Sequence, residues 1–200
     1  MYTSKEMQVV AVTNRSLCHR PFLEQLEMVC QTLPAFIILR EKDLPEQEYQ
    51  ELAAQVLDLC NSYEVPCVLH TYPDVARALN CNSIHLPLPL LRKYAHELKS
   101  FTQIGSSVHS VEDAIEAEKL GATYVTAGHV YVTDCKKGLA PRGLDFLKNV
   151  CQSVSIPVYA IGGIQLDADT HKIASTQAEE IASCGARGGC IMSGMMQFTP

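Results

Sequence analysis

The sequence predicts an α/β protein: a single (β/α)8 barrel of the TIM type that spans residues 1–200. Two observations predict it. Apolar, β-rich runs alternate with amphipathic stretches about every two dozen residues, and there are eight strand candidates, the number such a barrel needs. The alternative is an open doubly wound sheet. That fold favours a glycine-rich turn after its first strand, and the segment Asn14-Arg-Ser-Leu-Cys contains no glycine.

The strand candidates share an apolar centre followed by a polar or glycine-containing end. In chain order they are residues 8–14, 35–41, 66–71, 83–87, 103–109, 124–131, 157–163 and 188–193.

The helix candidates between them have an amphipathic pattern and recognisable start signals. Pro45, Pro73 and Pro89 suit a first helical turn, and Ser110 with Asp113 predicts a capped helix start. The candidates are residues 22–33, 45–63, 73–79, 89–98, 110–120, 143–153 and 170–184. After the eighth strand only residues 195–200 are left, so we expect the final helix to be missing or reduced to a turn. A partner subunit of a homodimer would then cover the flank beside the termini.

Composition narrows the class of protein. The 200 residues are 47% hydrophobic and 19% charged, which is typical of one globular domain with a substantial core. A formal net charge of -6 argues against a nucleic-acid surface. No run approaches the roughly 18 apolar residues that a membrane span requires, and the N-terminus has no apolar signal region. We therefore expect a cytoplasmic protein with neither nucleic acid nor membrane as a partner.

The nine cysteines are odd in number and form no CxxC pair. Without an export signal they are interpreted as reduced thiols, most of them in the core, and a zinc site is not expected. Cys135 is the exception, because the neighbouring Lys136 and Lys137 would lower the pKa of its thiol. It is either a reactive group or a loop residue that packs on a ligand.

Polar groups end most of the predicted strands. The carboxyl ends of barrel strands meet at one mouth, where catalytic groups are expected and where phosphate is commonly bound after strands seven and eight. Glycine pairs there leave backbone N–H groups open to an anion. The residues predicted for this mouth are Arg40, Glu41, Lys42, His70, Thr71, Ser106, Ser107, His109, His129, Gly162, Gly163, Met192, Ser193 and Gly194.

The stretch from Gly128 to Gly138 places an imidazole at a strand end, directly before a loop with adjacent lysines. Histidine can hold or release a proton near neutral pH, so His129 is the candidate general acid/base. Thr133 and Lys136 are candidates for closing over a phosphorylated ligand. A strand-end histidine is also often only a hydrogen-bonded structural group, and that interpretation stays open for His129. It is also the main interpretation for His85, which lies between apolar neighbours.

Five segments together resemble the thiamine phosphate synthase superfamily over nearly the whole chain. They are Leu39-Arg-Glu-Lys-Asp, Ser106-Ser-Val-His-Ser, the stretch 128–138, Arg142-Gly-Leu, and Ile156-Pro-Val-Tyr-Ala-Ile-Gly-Gly-Ile. Within the superfamily, the stretch 128–138 resembles the thiazole tautomerase (TenI) branch, since synthases have Gly-Pro where Gly128-His129 stands and threonine in place of Cys135. Ile84-His-Leu-Pro is also similar to the tautomerase form.

The resemblance implies an isomerase that converts a carboxylated thiazole phosphate to its aromatic form without a cofactor. His129 would move the protons. Arg40, Lys42, Ser107, Thr133, Lys136, Gly163, Met192, Ser193 and Gly194 would bind the substrate or its phosphate, with His70, His109 and Cys135 as accessory residues. A homodimer is also implied.

Two alternatives remain. The first is thiamine phosphate synthase, which transfers a pyrimidine to thiazole phosphate and needs Mg²⁺ held by two aspartates; Thr71 and Leu90 stand at those positions here. Arg40 and Lys42 match synthase residues that hold pyrophosphate, although with Glu41 they could instead form a structural ion-pair network. The second is a regulatory protein that binds the thiazole phosphate without turning it over.

Overall fold

The computed structural model describes residues 7–133 and 138–199. Within these ranges the strands form the predicted closed parallel barrel, in which each strand pairs with the next and the last pairs with the first. The strands are β1 (Gln8–Val12), β2 (Phe36–Leu39), β3 (Cys67–His70), β4 (Ser83–Pro87), β5 (Gln103–Val108), β6 (Tyr124–Gly128), β7 (Val158–Ile161) and β8 (Gly188–Ile191).

The helices follow the strands in alternation. They are α1 (Phe22–Gln31), α2 (Glu46–Ser62), α3 (Pro73–Ala78), α4 (Leu88–Tyr94), α5 (Val111–Lys119), α6 (Gly143–Ser153), α7 (Ser175–Ser183) and α8 (Ser193–Gln197). Short 3-10 turns lie at Arg15–Leu17 and Ala95–Ser100. The second turn replaces the last part of the predicted fourth helix.

Two element ends differ from the predictions for a visible reason. β5 stops at Val108 because the backbone N–H of His109 donates to Asp113 Oδ2 instead of continuing the ladder. α7 begins at Ser175 rather than at residue 170, because residues 167–173 close a turn of their own: the backbone N–H of Asp167 donates to the carbonyl of Lys172. β6 also ends before its predicted bound, at Gly128 rather than at residue 131, so His109 and His129 each lie one residue beyond the end of a strand.

The final helix is short, as predicted. α8 has five residues and packs on α1, where Gln25 Nε2 donates to the carbonyls of Met195 at 2.9 Å and Phe198 at 3.2 Å. Met195 and Met196 are fully buried. The flank beside α1 is thus covered by the chain itself, so the short C-terminus gives no reason to expect a partner there. A homodimer stays a prediction.

The barrel interior is filled below its mouth by side chains that alternate with those facing the helices. Phe36 lies edge-on to Tyr124 and Tyr159, with ring centroids 5.3 and 5.4 Å apart, and aliphatic residues from β1, β2 and β3 complete this cluster. A larger apolar layer separates the strands from the helices. Because the interior is packed, a ligand can enter only at the carboxyl ends of the strands.

The cysteines of the described ranges are all free thiols, in agreement with the prediction, and half of them are buried. Burial is the largest cause that raises the pKa of the Cys81 and Cys190 thiols. Over the same ranges, no helix is both long enough and apolar enough to cross a membrane.

Candidate active site

A cavity of about 1010 Å³ opens at the carboxyl ends of the strands. Its volume suits a small-molecule ligand. The predicted residues Arg40, Lys42, Ser107, Thr133, Gly163, Met192, Ser193 and Gly194 all line it, and so do His70, His109 and His129. Lys136 and Cys135 lie outside the described residues. The structure therefore brings together the described residues that were predicted for the site, with the exception of Glu41, Thr71 and Ser106, which do not line the cavity.

Glu41 has a structural role instead. Its carboxylate is buried and accepts hydrogen bonds from Thr13 Oγ1 at 2.6 Å and from the backbone and guanidinium of Arg15 at 3.1 Å. Arg15 also pairs with the exposed Asp43. Three charged residues follow β2. The ion-pair interpretation holds for Glu41, whereas Arg40 and Lys42 line the cavity.

His129 directly follows β6 and is 7% exposed. Its Nε2 lies 3.4 Å from the carbonyl oxygen of Leu139, which can only accept, so this long contact needs a proton on Nε2. Nδ1 is buried and has no hydrogen-bond partner among the described residues. Buried polar atoms are normally paired, and an exception points to a functional group or to a missing ligand.

His109 has the opposite arrangement on the neighbouring strand end. Its Nδ1 lies 2.9 Å from the carbonyl oxygen of Gly128 and must be the donor, which leaves Nε2 unprotonated in the neutral ring. The side chain is exposed and lines the cavity. Asp113 fixes the backbone at this point through its bond to the His109 N–H.

His70 and His85 stack in the barrel, with ring centroids 5.5 Å apart and planes 17° from parallel. Burial lowers the pKa of His85 to about 3, and the charges of Lys42 and Arg40 act in the same direction. Burial is also the main cause that lowers the pKa of His70 well below its ordinary value, with further contributions from His85, Arg40 and Lys42. Both rings are therefore neutral near pH 7.

His85 was predicted to be a hydrogen-bonded histidine of the interior, and it is buried. Its hydrogen bonds also connect it to the cavity. Nδ1 lies 3.0 Å from the Tyr124 hydroxyl, and Nε2 lies 2.8 Å from Ser107 Oγ. Thr126 Oγ1 reaches the same Ser107 oxygen at 3.3 Å. This chain of polar groups holds the Ser107 hydroxyl at the floor of the cavity.

The turn after β7 depends on its two glycines. Gly162 and Gly163 have φ values of +97° and +72°, a region that side chains rarely adopt. A Cβ on Gly163 would lie 2.4 Å from the carbonyl oxygen of Val132. The segment after His129 thus lies directly on this turn, and both segments line the same part of the cavity.

Several lining residues were not predicted, and helices and loops supply many of them. Arg92 and Asp113 come from α4 and α5, and their helical spacing gives no sign that they face the mouth. Thr126 lies inside β6, where an apolar neighbourhood hides it. The others missed are Val12, Pro87, Leu88, Pro89, Val132, Ile161, Ile164, Gln165, Leu166, Ala168, Cys190, Gln197 and Phe198, whereas Gly162 was predicted and does line the cavity. The alternation of side chains along β1 and β8 could have indicated two of them, Val12 and Cys190.

The fold agrees with comparisons to known proteins. Residues 9–193 match the family model described as thiamine monophosphate synthase. The chain belongs to this family. It is 31% identical to the thiamine-phosphate synthase of Clostridium acetobutylicum over 96% of this chain and 88% of the relative. It is 30% identical to thiamine-phosphate synthase 2 of Streptococcus pneumoniae, with the same coverage.

A solved structure of thiamine phosphate pyrophosphorylase from Pyrococcus furiosus superposes with a TM-score of 0.77. It is 30% identical and covers 95% of this chain and 88% of its own. The superfamily resemblance and the fold are thereby confirmed. The names of these relatives favour the synthase alternative over the tautomerase branch, which none of them specifies.

The resemblance to the synthases implies a bound Mg²⁺ ion. Mg²⁺ is usually anchored by one or two carboxylates. The resemblance places the two synthase aspartates at Thr71, whose hydroxyl contacts His70 Nδ1, and at Leu90, which packs on the core. Asp113 is the one acidic side chain among the described lining residues, and it is engaged by His109. Within the described ranges, no cluster of three or more metal-ligating side chains is present. These residues do not fit the ion.

Proposed function

We propose that the protein is a thiazole tautomerase, which binds a carboxylated thiazole phosphate and isomerises it to the aromatic thiazole by proton transfer. The observation that carries the proposal is the set of side chains at the mouth. Three histidines line the cavity, and the resemblance places Thr71 and Leu90 where the synthases carry their metal-binding aspartates.

The chemistry needs two proton transfers. One proton leaves ring carbon two, another is added to the exocyclic carbon, and aromatisation supplies the driving force. A positioned general acid/base contributes about 10² to 10⁴ in rate, and histidine suits the task near neutral pH. We assign this role to His129. Its buried Nδ1 without a described partner is the feature expected of a group that completes its bonding only with a ligand.

The two anionic ends of the substrate would occupy different parts of the rim. The turn at Gly163 and the backbone at Ser193 and Gly194 would hold the phosphate, with Met192 beside it and with Thr133 and Lys136 closing the loop over it. Arg40 and Lys42 would hold the carboxylate. Ser107 would donate a hydrogen bond from the cavity floor. Holding the phosphate at one site and the carboxylate at another would fix the orientation of the substrate. Orientation is the main requirement because the aromatic product is already the more stable form.

Thiamine phosphate synthase is the second candidate, and the names of the relatives support it. In that case Arg40 and Lys42 would hold the pyrophosphate of the pyrimidine substrate. The observation against a synthase is that the described residues of the cavity do not fit a Mg²⁺ site.

The two functions are separated by two assays on the purified protein. The first follows the ultraviolet absorbance of the aromatic thiazole formed from the carboxylated thiazole phosphate, with and without Mg²⁺. The second follows pyrophosphate release from the pyrimidine diphosphate and thiazole phosphate under the same two conditions. We expect turnover in the first assay, independent of Mg²⁺. Mg²⁺-dependent pyrophosphate release with no turnover in the first assay would establish the synthase instead.

A His129→Ala variant separates catalysis from binding. We expect it to bind the product thiazole phosphate like the parent protein while kcat falls about 10²-fold or more. The control is His96→Ala, since His96 is an exposed histidine outside the cavity. Tight binding with no turnover by the parent protein would favour the regulatory alternative.

A further inference from the structure

The cavity contains two histidines on adjacent strand ends whose hydrogen bonds set complementary roles. The ring of His109 donates from Nδ1 to the carbonyl of Gly128, the residue directly before His129. The imidazoles that follow β5 and β6 are thus joined through one peptide unit.

The two rings differ in which nitrogen is available. In His109 the bond to Gly128 occupies Nδ1, so the basic atom is Nε2, on an exposed side chain at the cavity. In His129 the basic atom of the neutral ring is Nδ1, which is buried, and Nε2 carries the proton toward Leu139. Of these two rings, His109 is thus the one whose unprotonated nitrogen belongs to an exposed side chain.

We propose that His109 is a second catalytic residue, which accepts the proton from ring carbon two while His129 supplies the proton to the exocyclic carbon. This inference rests on the tautomerase function proposed above. As the C–H bond breaks, its electron pair forms a new ring C=N bond, and the former ring C=N pair becomes the adjacent ring C=C bond. The exocyclic C=C pair then takes a proton from His129. His109 ends this step as imidazolium, His129 enters it as imidazolium and leaves it neutral, and water at the open mouth restores both.

His109→Asn is the decisive variant, because asparagine can keep the donor that bonds to Gly128 while it removes the basic nitrogen. We expect kcat for aromatisation to fall about 10²-fold or more, with the affinity for the product thiazole phosphate unchanged. His96→Asn, on an exposed residue outside the cavity, is the matched control and should keep the parent activity.

Two further measurements test the same point. Added imidazole should partly restore turnover to His109→Ala, since the side chain is accessible from solvent. Substrate deuterated at ring carbon two should give a product without deuterium at the new carbon–hydrogen bond. Parent-like activity of His109→Asn, loss of product binding in that variant, or transfer of deuterium would each overturn the proposal. Absence of turnover in the parent protein would instead refute the tautomerase function itself.

Discussion

At the scale of single residues, the buried pair His70 and His85 has the clearest physical consequence. Neither ring carries a charge near pH 7, because burial and the nearby charges of Arg40 and Lys42 oppose protonation. The unfolded chain imposes no such restraint, so the two states bind different numbers of protons in acid.

We predict that stability falls as the pH is lowered from about 6.5. Between that value and the folded pKa of about 3 for His85, the unfolded state holds a proton that the folded state does not. The free energy of unfolding therefore decreases by about 1.4 kcal/mol per pH unit for each such histidine. Denaturant unfolding from about pH 7, just above the ordinary histidine pKa, down to about pH 4 measures this slope.

The variant that assigns the slope is His85→Gln, which can still bond to Ser107. In this variant the slope of the free energy of unfolding against pH should be smaller by the contribution of about one proton. The exposed His96→Gln should keep the parent slope. An unchanged slope in His85→Gln would show that this ring is not the source.

At the scale of elements, the start of α5 joins the fold to the site. Ser110 Oγ accepts from the Asp113 N–H at 3.0 Å, and Asp113 Oδ2 accepts from the His109 N–H at 3.0 Å. This reciprocal cap was predicted from the Ser110 and Asp113 spacing. It also holds the backbone of His109, which the spacing did not indicate.

We predict that Ser110→Ala destabilises the protein by about 1 kcal/mol, the usual cost of a lost N-cap. Ser62→Ala is the matched control, because the Ser62 hydroxyl only bonds to a carbonyl of its own helix. Both midpoints can be measured by urea unfolding. Equal stability of the two variants would contradict the capping role.

The turn after β7 gives a second prediction at this scale. A methyl group on Gly163 meets the Val132 carbonyl, in addition to the cost of its positive φ. We expect Gly163→Ala to displace the segment after β6 and to lower the affinity for the product thiazole phosphate more than tenfold, equivalent to about 1.4 kcal/mol.

Gly121→Ala is the control for this variant. Gly121 has a φ of +94°, and nothing lies within 4 Å of the point that an added Cβ would occupy. It therefore shares the backbone cost, about 1 kcal/mol of stability, without the collision. Calorimetric titration with the product should give parent-like affinity for Gly121→Ala, and equal affinity of both variants would contradict the steric argument.

At the scale of the whole molecule, closure of the barrel flank depends on Gln25. Its side-chain amide is buried and donates to two carbonyls of the C-terminal segment. α8 begins at Ser193, so this contact also supports the predicted phosphate site.

We predict that Gln25→Leu lowers the free energy of unfolding by about 1 to 3 kcal/mol, because it leaves buried carbonyl groups unpaired. The control is Gln55→Leu on the exposed face of α2. Thermal unfolding measures the difference. A Tm for Gln25→Leu equal to that of the control would show that the flank is held by the apolar contacts of Met195 and Met196 alone.

The local pattern of residues was enough to predict the barrel. Each strand and each helix must bury its own apolar side chains, so the alternation of the two kinds of segment is visible in the sequence. It was also enough to predict that Arg40, Ser107, His129 and Gly163 would share one mouth, since parallel strands must end on the same side. It predicted the short α8 from the length of chain left after β8.

The pattern could not predict which nitrogen of each histidine is available, that Glu41 turns to Arg15 rather than to the cavity, or that His85 orients Ser107. These properties depend on contacts between residues as far apart as Arg15 and Glu41 or His85 and Tyr124, on different strands and loops. A hydrogen bond forms only where distance and direction are right, and folding of the whole barrel sets both.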